Sequence, residues 1–430
     1  MSGPTVLQDR RLDLLVYLGC AVFAGSTAVW SEFYGYRVWG NFAVAAYLLA
    51  AAHAVWLLLR PDRDTMTCSG ARARWTPIAL IGTLGMTLPL SVLVFRRLTG
   101  VDWLITPSSW AAQPEVWVIE RSATTLLRTG TPYLDVTALG RPPVVNDYTP
   151  YGPAMSLFGL PRAIFGGAPA GDAFTDARLV FALVTIATVA LALRLLGRPR
   201  IPVRAAQLAV VNPFTALTCA VAGPDLPIIG LVTLAAALLV RAKAGDGGLC
   251  WAAGLLAATV SMKLTALPAV VVLGVLVAAT LGSRAVLRFA ITFLAVFAGL
   301  NVPVFFVSPG AFVEHVIDFP MGLGEIDSPA GSALPGHLIA STGPAGQLVS
   351  LGMLGFATLA LTVWLVIRPP RLGSDALFRI AIGLGVAILL MPASRWGYLV
   401  YPFTLLGATL CFSVAERTTR SATDPLLVSR

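Results

Sequence analysis

The chain has 430 residues, 57% of them apolar and 12% charged, with 40 glycines and a formal net charge of +9. A soluble globule carries charge on about a quarter of its residues and a disordered chain is poor in apolar ones, so both classes are excluded. At about 20 apolar residues per crossing, the length suits a polytopic membrane protein with about twelve spans and long loops.

Apolar runs predict spans at Leu12–Trp30, Asn41–Leu59, Pro77–Phe95, Leu179–Leu196, Ala205–Ala222 and Leu226–Val240. Six more follow at Leu249–Leu264, Ala266–Leu281, Phe289–Val307, Leu348–Ile367, Leu377–Met391 and Tyr398–Val414. Arg10 and Arg11 give the first run the charged start of a signal peptide, but no small-residue cleavage pattern follows, and it is read as a span. The stretch from Leu249 to Leu281 would measure about 50 Å as one helix, against a hydrocarbon core of about 30 Å. It is therefore a hairpin turning at Lys263 and Pro268. Gly223-Pro224-Asp225 splits the preceding apolar stretch in the same way.

With the N-terminus in the cytoplasm, one side of the membrane holds 20 of the 30 basic and 8 of the 21 acidic residues, and the other holds 10 and 13. That asymmetry follows the positive-inside rule and returns the C-terminus to the cytoplasm. Basic residues stand singly or in pairs between apolar runs, without the continuous basic face a nucleic acid needs. Cys20, Cys68, Cys219, Cys250 and Cys411 form no CxxC pair and read as small packing residues.

Two outer segments exceed simple turns, Arg96 to about Arg178 and Ser308 to about Gly346, and long loops of this kind are usually functional. The first predicts a helix from Pro114 to Arg128 and an interfacial or re-entrant run from Met155 to Phe165. Glu115 falls in the first turn of that helix, at a water–membrane boundary where desolvation brings a carboxyl toward the general-base range. An acid in a first turn also simply complements the helix dipole. Asp147, between Asn146 and Tyr148, is a second candidate acid or an ordinary turn opening. Glu314, His315 and Asp318 share one face at helical spacing, which suits a metal or acid–base cluster, with a hard divalent cation conceivable between the two acids, or a solvated face. His337 lies in a Gly-Ser-Pro-rich stretch, as a mobile contact would; His53 sits inside a span, where bonding to a neighbouring helix suffices. Lys263 and Arg395 stand at outer span ends, where intramembrane charges are functional candidates by default. The alternatives are snorkelling for Arg395 and an ion pair with Asp225 or another loop acid for Lys263. There is no phosphate-cradling glycine loop, which argues against a nucleotide donor.

An acid followed two positions on by an aromatic residue (Glu115, Trp117) precedes Leu-Leu-x-x-Gly-x-Pro-Tyr (Leu126 to Tyr133). Tyr-x-Pro-x-x-Pro (Tyr148 to Pro153) and Pro161 come next. Together with SMKLTALP around Lys263 and MPASRWGYLVYP near the C-terminus, this pattern resembles glycosyltransferase family 87, over about Trp75 to Val414. That family includes mannosyltransferases of actinobacterial cell-envelope synthesis. The resemblance implies an all-α, polytopic membrane protein of GT-C-type architecture with two long extracytoplasmic loops. Residues 1–75 would add two N-terminal spans and a cytoplasmic loop, 76–414 the transferase module with outer loops 96–178 and 308–346, and 415–430 a cytoplasmic tail. It further implies a hexosyltransferase, for mannose by analogy, that takes its sugar from a polyprenyl-phosphate donor with inversion. The acceptor would be a cell-envelope glycolipid or glycan at the outer face of the cytoplasmic membrane, and no cofactor or metal is implied. Glu115 takes the place of the family's catalytic aspartate, with Asp147 as the second catalytic candidate. Arg395, Lys263 and Tyr398 are candidates for the donor phosphate, and Asn146, Tyr148, His315 and His337 for sugar or acceptor. Where the family tends toward a Ser-Trp motif with histidines, this chain has Ser394, Arg395, Trp396, Gly397 and Tyr398. The alternative function is a secondary transporter or lipid flippase. That class calls for charges or broken helices near the bilayer midplane, whereas the acids here gather in two loops.

Overall fold

The computed structural model describes residues 10–59, 74–99, 109–245, 247–324, 326 and 329–423, with side chains up to residue 419. Residues 60–73 of the first arginine-bearing loop, the tryptophan- and proline-bearing stretch 100–108, and the tail from 424 lie outside them. Among the described residues the protein is helical, and its one β feature is an isolated bridge between Gly331 and Ser394.

Among the described residues, ten helical stretches are long and apolar enough to cross a bilayer. The first three are α1 (Arg10–Trp30), α2 (Tyr34–Leu59) and α3 (Trp75–Thr99). A helix of the first long loop follows, α4 (Pro114–Thr129), and then α5 (Ala177–Leu195). Next come α6 (Pro213–Val221), α7 (Asp225–Lys243), α8 (Leu249–Val260), α9 (Leu267–Leu281) and α10 (Ser283–Val307). The chain ends with α11 (Pro344–Ile367), α12 (Gly373–Leu390) and α13 (Val400–Thr423).

All twelve predicted spans are present as helical segments, but two are not single long helices. The fifth starts as a short turn, Val203–Ala206, passes through a π segment, Gln207–Val211, and breaks at Asn212 before α6. The seventh is α8, whose 12 residues rise only about 18 Å. The predicted hairpin is observed: Lys263 is extended between α8 and a 3-10 turn, Leu264–Ala266, that feeds α9.

Breaks in regular helix release carbonyls, and other side chains occupy them. In α3 the π segment Ile81–Thr87 is met by the Trp39 indole, which donates to Gly85 O at 3.0 Å. In the second π segment the Tyr47 hydroxyl donates to Val211 O at 2.7 Å. Alanines line the α1–α2 face, with Ala24, Ala43, Ala46 and Ala50 fully buried, so the backbones approach as small residues allow in lipid.

Of the ten described stretches, α7 is the most enclosed. It packs on α5, α8, α12 and α13. Its entry turn requires Gly223, whose φ of +92° places the chain in the left-handed region. Asp225 thus stands at the first turn of the central helix. The two long loops lie together over this end of the bundle: Thr149 N donates to His315 Nδ1 at 2.7 Å, and His315 Nε2 meets Leu134 O at 2.8 Å.

Candidate active site

Four segments bring charged groups to the loop end of α7. The start of α4 is fixed by Gln113 N donating to Val221 O at 2.7 Å and by a bond between the Gln113 amide and the Tyr36 hydroxyl. Pro114 begins the helix without needing a donor, and Glu115 follows in its first turn. The second segment is the extended stretch after α12. Its backbone is pinned where Ser332 N donates to Ser394 O and Trp396 N to Ser332 Oγ. Arg395 projects from it, and its Nη1 lies 2.5 Å from Glu115 Oε1.

The third segment is the Lys263 turn and the fourth the head of α7. Lys263 Nζ donates to Asp225 Oδ1 at 2.6 Å, and the Tyr401 hydroxyl donates to the same oxygen at 2.7 Å. The ammonium also lies over the Tyr398 ring at 4.6 Å and the Tyr151 ring at 5.7 Å. Burial works against the Lys263 charge, but Asp225 together with Tyr398, Tyr401 and Tyr151 outweighs it and holds the amine well above its ordinary range. Arg395 is likewise held above its ordinary value by Glu115, against its burial. The Lys263 turn is tied to the first long loop, because Gly152 N donates to Met262 O and Ala154 N to Ser261 O.

The arrangement is two acids and two cations, with Tyr36, Tyr151 and Tyr398 near enough to act electrostatically on the Arg395 guanidinium. Glu115 and Arg395 keep 18% and 28% of their side-chain surface exposed, so the pair is reachable from outside. Trp396, Leu264 and Leu267, beside Arg395 and Lys263 in the chain, are exposed apolar residues, as a lipid-facing rim requires. Ser394 is fully buried, and its hydroxyl has no hydrogen-bond partner among the described residues.

Of the residues expected from sequence, Glu115, Arg395, Lys263 and Tyr398 come together here. Asp147, Asn146, Tyr148 and His315 form a separate group. Asp147 accepts from Arg141 at 2.7 and 2.8 Å and from Val144 N at 2.8 Å. The Arg141 hydrogen bonds hold Asp147 below the usual carboxylate range despite its burial, the opposite of what a general base needs at neutral pH. Asn146 contributes its carbonyl to Arg121 at 2.7 Å. Tyr148 stacks on Phe319 with ring centres 4.4 Å apart. His315 is fully buried, and with both nitrogens engaged by backbone it has none left for a sugar hydroxyl. It sits on a π turn, Glu314–Asp318, so the expected outward face of Glu314, His315 and Asp318 is broken by one member turning inward. Among the described residues no three His, Cys, Asp or Glu side chains gather as a metal set. His337 is half-buried, its Nδ1 2.9 Å from Pro392 O, beside the strand-like stretch that carries Arg395.

Sequence reasoning offered Asp225 only as one partner for Lys263, and it did not find Tyr36, Tyr151, Gln113 or Tyr401. An acid opening an apolar helix at Gly-Pro-Asp was the available signal for Asp225. The tyrosines carried none.

The chain matches the family model for glycosyltransferase family 87 over residues 148–392, more than half its length. The chain belongs to glycosyltransferase family 87. No curated protein and no solved structure matches it. It is therefore a multi-pass membrane glycosyltransferase, which answers the choice between transferase and transporter left open by span count. The matched segment of this family 87 member contains Asp225, Lys263 and the Tyr148–Pro153 motif. Glu115 lies 33 residues before it and Arg395 three residues after it, and the two pair with each other.

Proposed function

We propose that this enzyme transfers a hexose, mannose by resemblance, from a polyprenyl-phosphate donor to a cell-envelope glycolipid or glycan acceptor. The reaction runs at the outer face of the cytoplasmic membrane, with both termini in the cytoplasm and residues 76–414 forming the transferase module. One observation carries the reading: an acid and two cations from three separate segments converge at a single lipid-rimmed edge, as Glu115, Arg395 and Lys263 do.

The chemistry is a single displacement. The acceptor oxygen forms a bond to the anomeric carbon while the bond from that carbon to the phosphate oxygen breaks, and its electron pair leaves with polyprenyl phosphate. Glu115 takes the acceptor proton. The donor is a phosphodiester with one negative charge and the departing monoester carries up to two, so Arg395 and Lys263 stabilise the transition state more than the ground state. Asp225 and Tyr401 fix Lys263 for that purpose. The ring faces of Tyr151 and Tyr398 flank the Lys263 ammonium and help hold it in place. Asp147, Tyr148 and His315 hold the loop that presents Tyr151, since the Tyr133 hydroxyl, whose ring stacks on His315, donates to Tyr151 O at 3.0 Å.

The test uses the purified protein in nanodiscs with polyprenyl-phosphate mannose, and with its glucose and arabinose analogues, against a panel of envelope glycolipids. Glu115→Gln should lower turnover by about 10²- to 10⁴-fold, the usual worth of a general base. Unchanged turnover in that variant overturns the assignment.

A further inference from the structure

We propose that Arg395 exchanges partners during the reaction: it holds Glu115 until the donor arrives and then passes to the donor phosphate, so that donor binding is what releases the base. This rests on the reading above and adds to it an order of binding, donor before proton transfer.

The inference starts from the 2.5 Å contact between Arg395 Nη1 and Glu115 Oε1. A carboxylate held that closely by a guanidinium has one oxygen committed and cannot accept an acceptor proton there. The two cations of the site differ in how they are held. Lys263 is 11% exposed, and its acid Asp225 is gripped by a second donor, Tyr401, so this pair is built to stay. Arg395 is 28% exposed, and among the described residues its one ion-pair partner is Glu115 and Glu115 has no second side-chain donor. Arg395 is therefore the cation free to move. A phosphate offers a planar guanidinium a bidentate, charge-assisted contact, stronger than the single contact it leaves. Glu115, once released, keeps the favourable field of the α4 N-terminus. The backbone under Arg395 is pinned through Ser332, so the exchange is a side-chain movement.

The experiment measures binding of undecaprenyl phosphate, in nanodiscs without acceptor, to four forms: wild type, Glu115→Gln, Arg395→Gln and the double variant. If Glu115 competes with the phosphate for Arg395, Glu115→Gln tightens binding by about tenfold. In the Arg395→Gln background the same substitution changes binding by less than about twofold, because the competition is gone. Equal tightening in both backgrounds means simple repulsion between Glu115 and the phosphate, and overturns the exchange. No tightening overturns it too, while leaving the donor reading intact if Arg395→Gln still weakens binding. Failure of every form to bind the lipid phosphate removes the donor reading and the exchange together. Should Arg395→Gln not fold by thermal melt, Arg395→Met, which keeps the aliphatic stem, takes its place.

Discussion

His315 illustrates how a residue attractive for chemistry is used for structure. Burial lowers its pKa from 6.5 to about 4, so the ring is neutral in the folded protein. Its two nitrogens join residues 149 and 134 across the loop. The sign of the pH effect follows. Between pH 6.5 and about 4 the unfolded chain holds a proton that the folded chain does not, so stability is lost as pH falls through that window. The loss is at most about 1.4 kcal/mol per pH unit. Wild-type protein should melt at a lower temperature at pH 5 than at pH 7, and His315→Gln should shrink that difference; an equal difference in the variant would take the titration away from His315. Glu120 belongs to the same class of structural acids. It is buried against Arg97 and Arg162 and accepts from Ala177 N at 3.0 Å, tying α4 to α3 and α5.

At the scale of elements, the site depends on two turns meeting. Gly152 approaches the Lys263 turn so closely that an added Cβ would lie 2.2 Å from Ser261 O. Only glycine fits there. Gly152→Ala should therefore cost about 1–3 kcal/mol of stability, the range for overpacking, and should raise KM for the donor by shifting Tyr151 and Lys263. Gly352→Ala in α11, where a Cβ meets nothing within 4 Å, serves as the control and should leave both melting temperature and KM unchanged. A normal melt and KM in Gly152→Ala would show that the loop yields without disturbing the site. The short α8 follows from the same need, since it ends early enough for the chain to lay Lys263 across Asp225.

At the scale of the whole molecule, the helices present wide apolar surfaces outward, as in α10 and α11, where only 11% of each span window is buried. That surface faces lipid. Orientation is then tested directly in a variant whose native cysteines are serine. Asp135→Cys, exposed on the first long loop, should react with a membrane-impermeant maleimide in intact spheroplasts. Lys243→Cys, exposed at the far end of α7, should react only after permeabilisation. The reverse pattern would invert the topology and move the active site to the cytoplasmic face.

The sequence by itself determined the class, ten of the twelve predicted spans as long apolar helices, and the Lys263 and Gly223 turns, because hydropathy and turn chemistry are local sums that need no neighbour from elsewhere in the chain. It also singled out Arg395 and Lys263 as candidates, because a charge at the end of an apolar run stands out against its own flanks, and Glu115 as an acid in the first turn of a loop helix and by the family resemblance. Only the tertiary structure decided that Glu115 and Arg395, 280 positions apart, are partners. It likewise brought Tyr36, Tyr151 and Tyr401 to the same edge, and it separated Asp147 and His315 from the acids and cations they were expected to join. Pairing between distant segments depends on how helices pack and where loops fold back. Tyrosines and isolated acids carry no local mark of that packing, so their roles became legible only when the central helix placed Asp225 and the four segments around it.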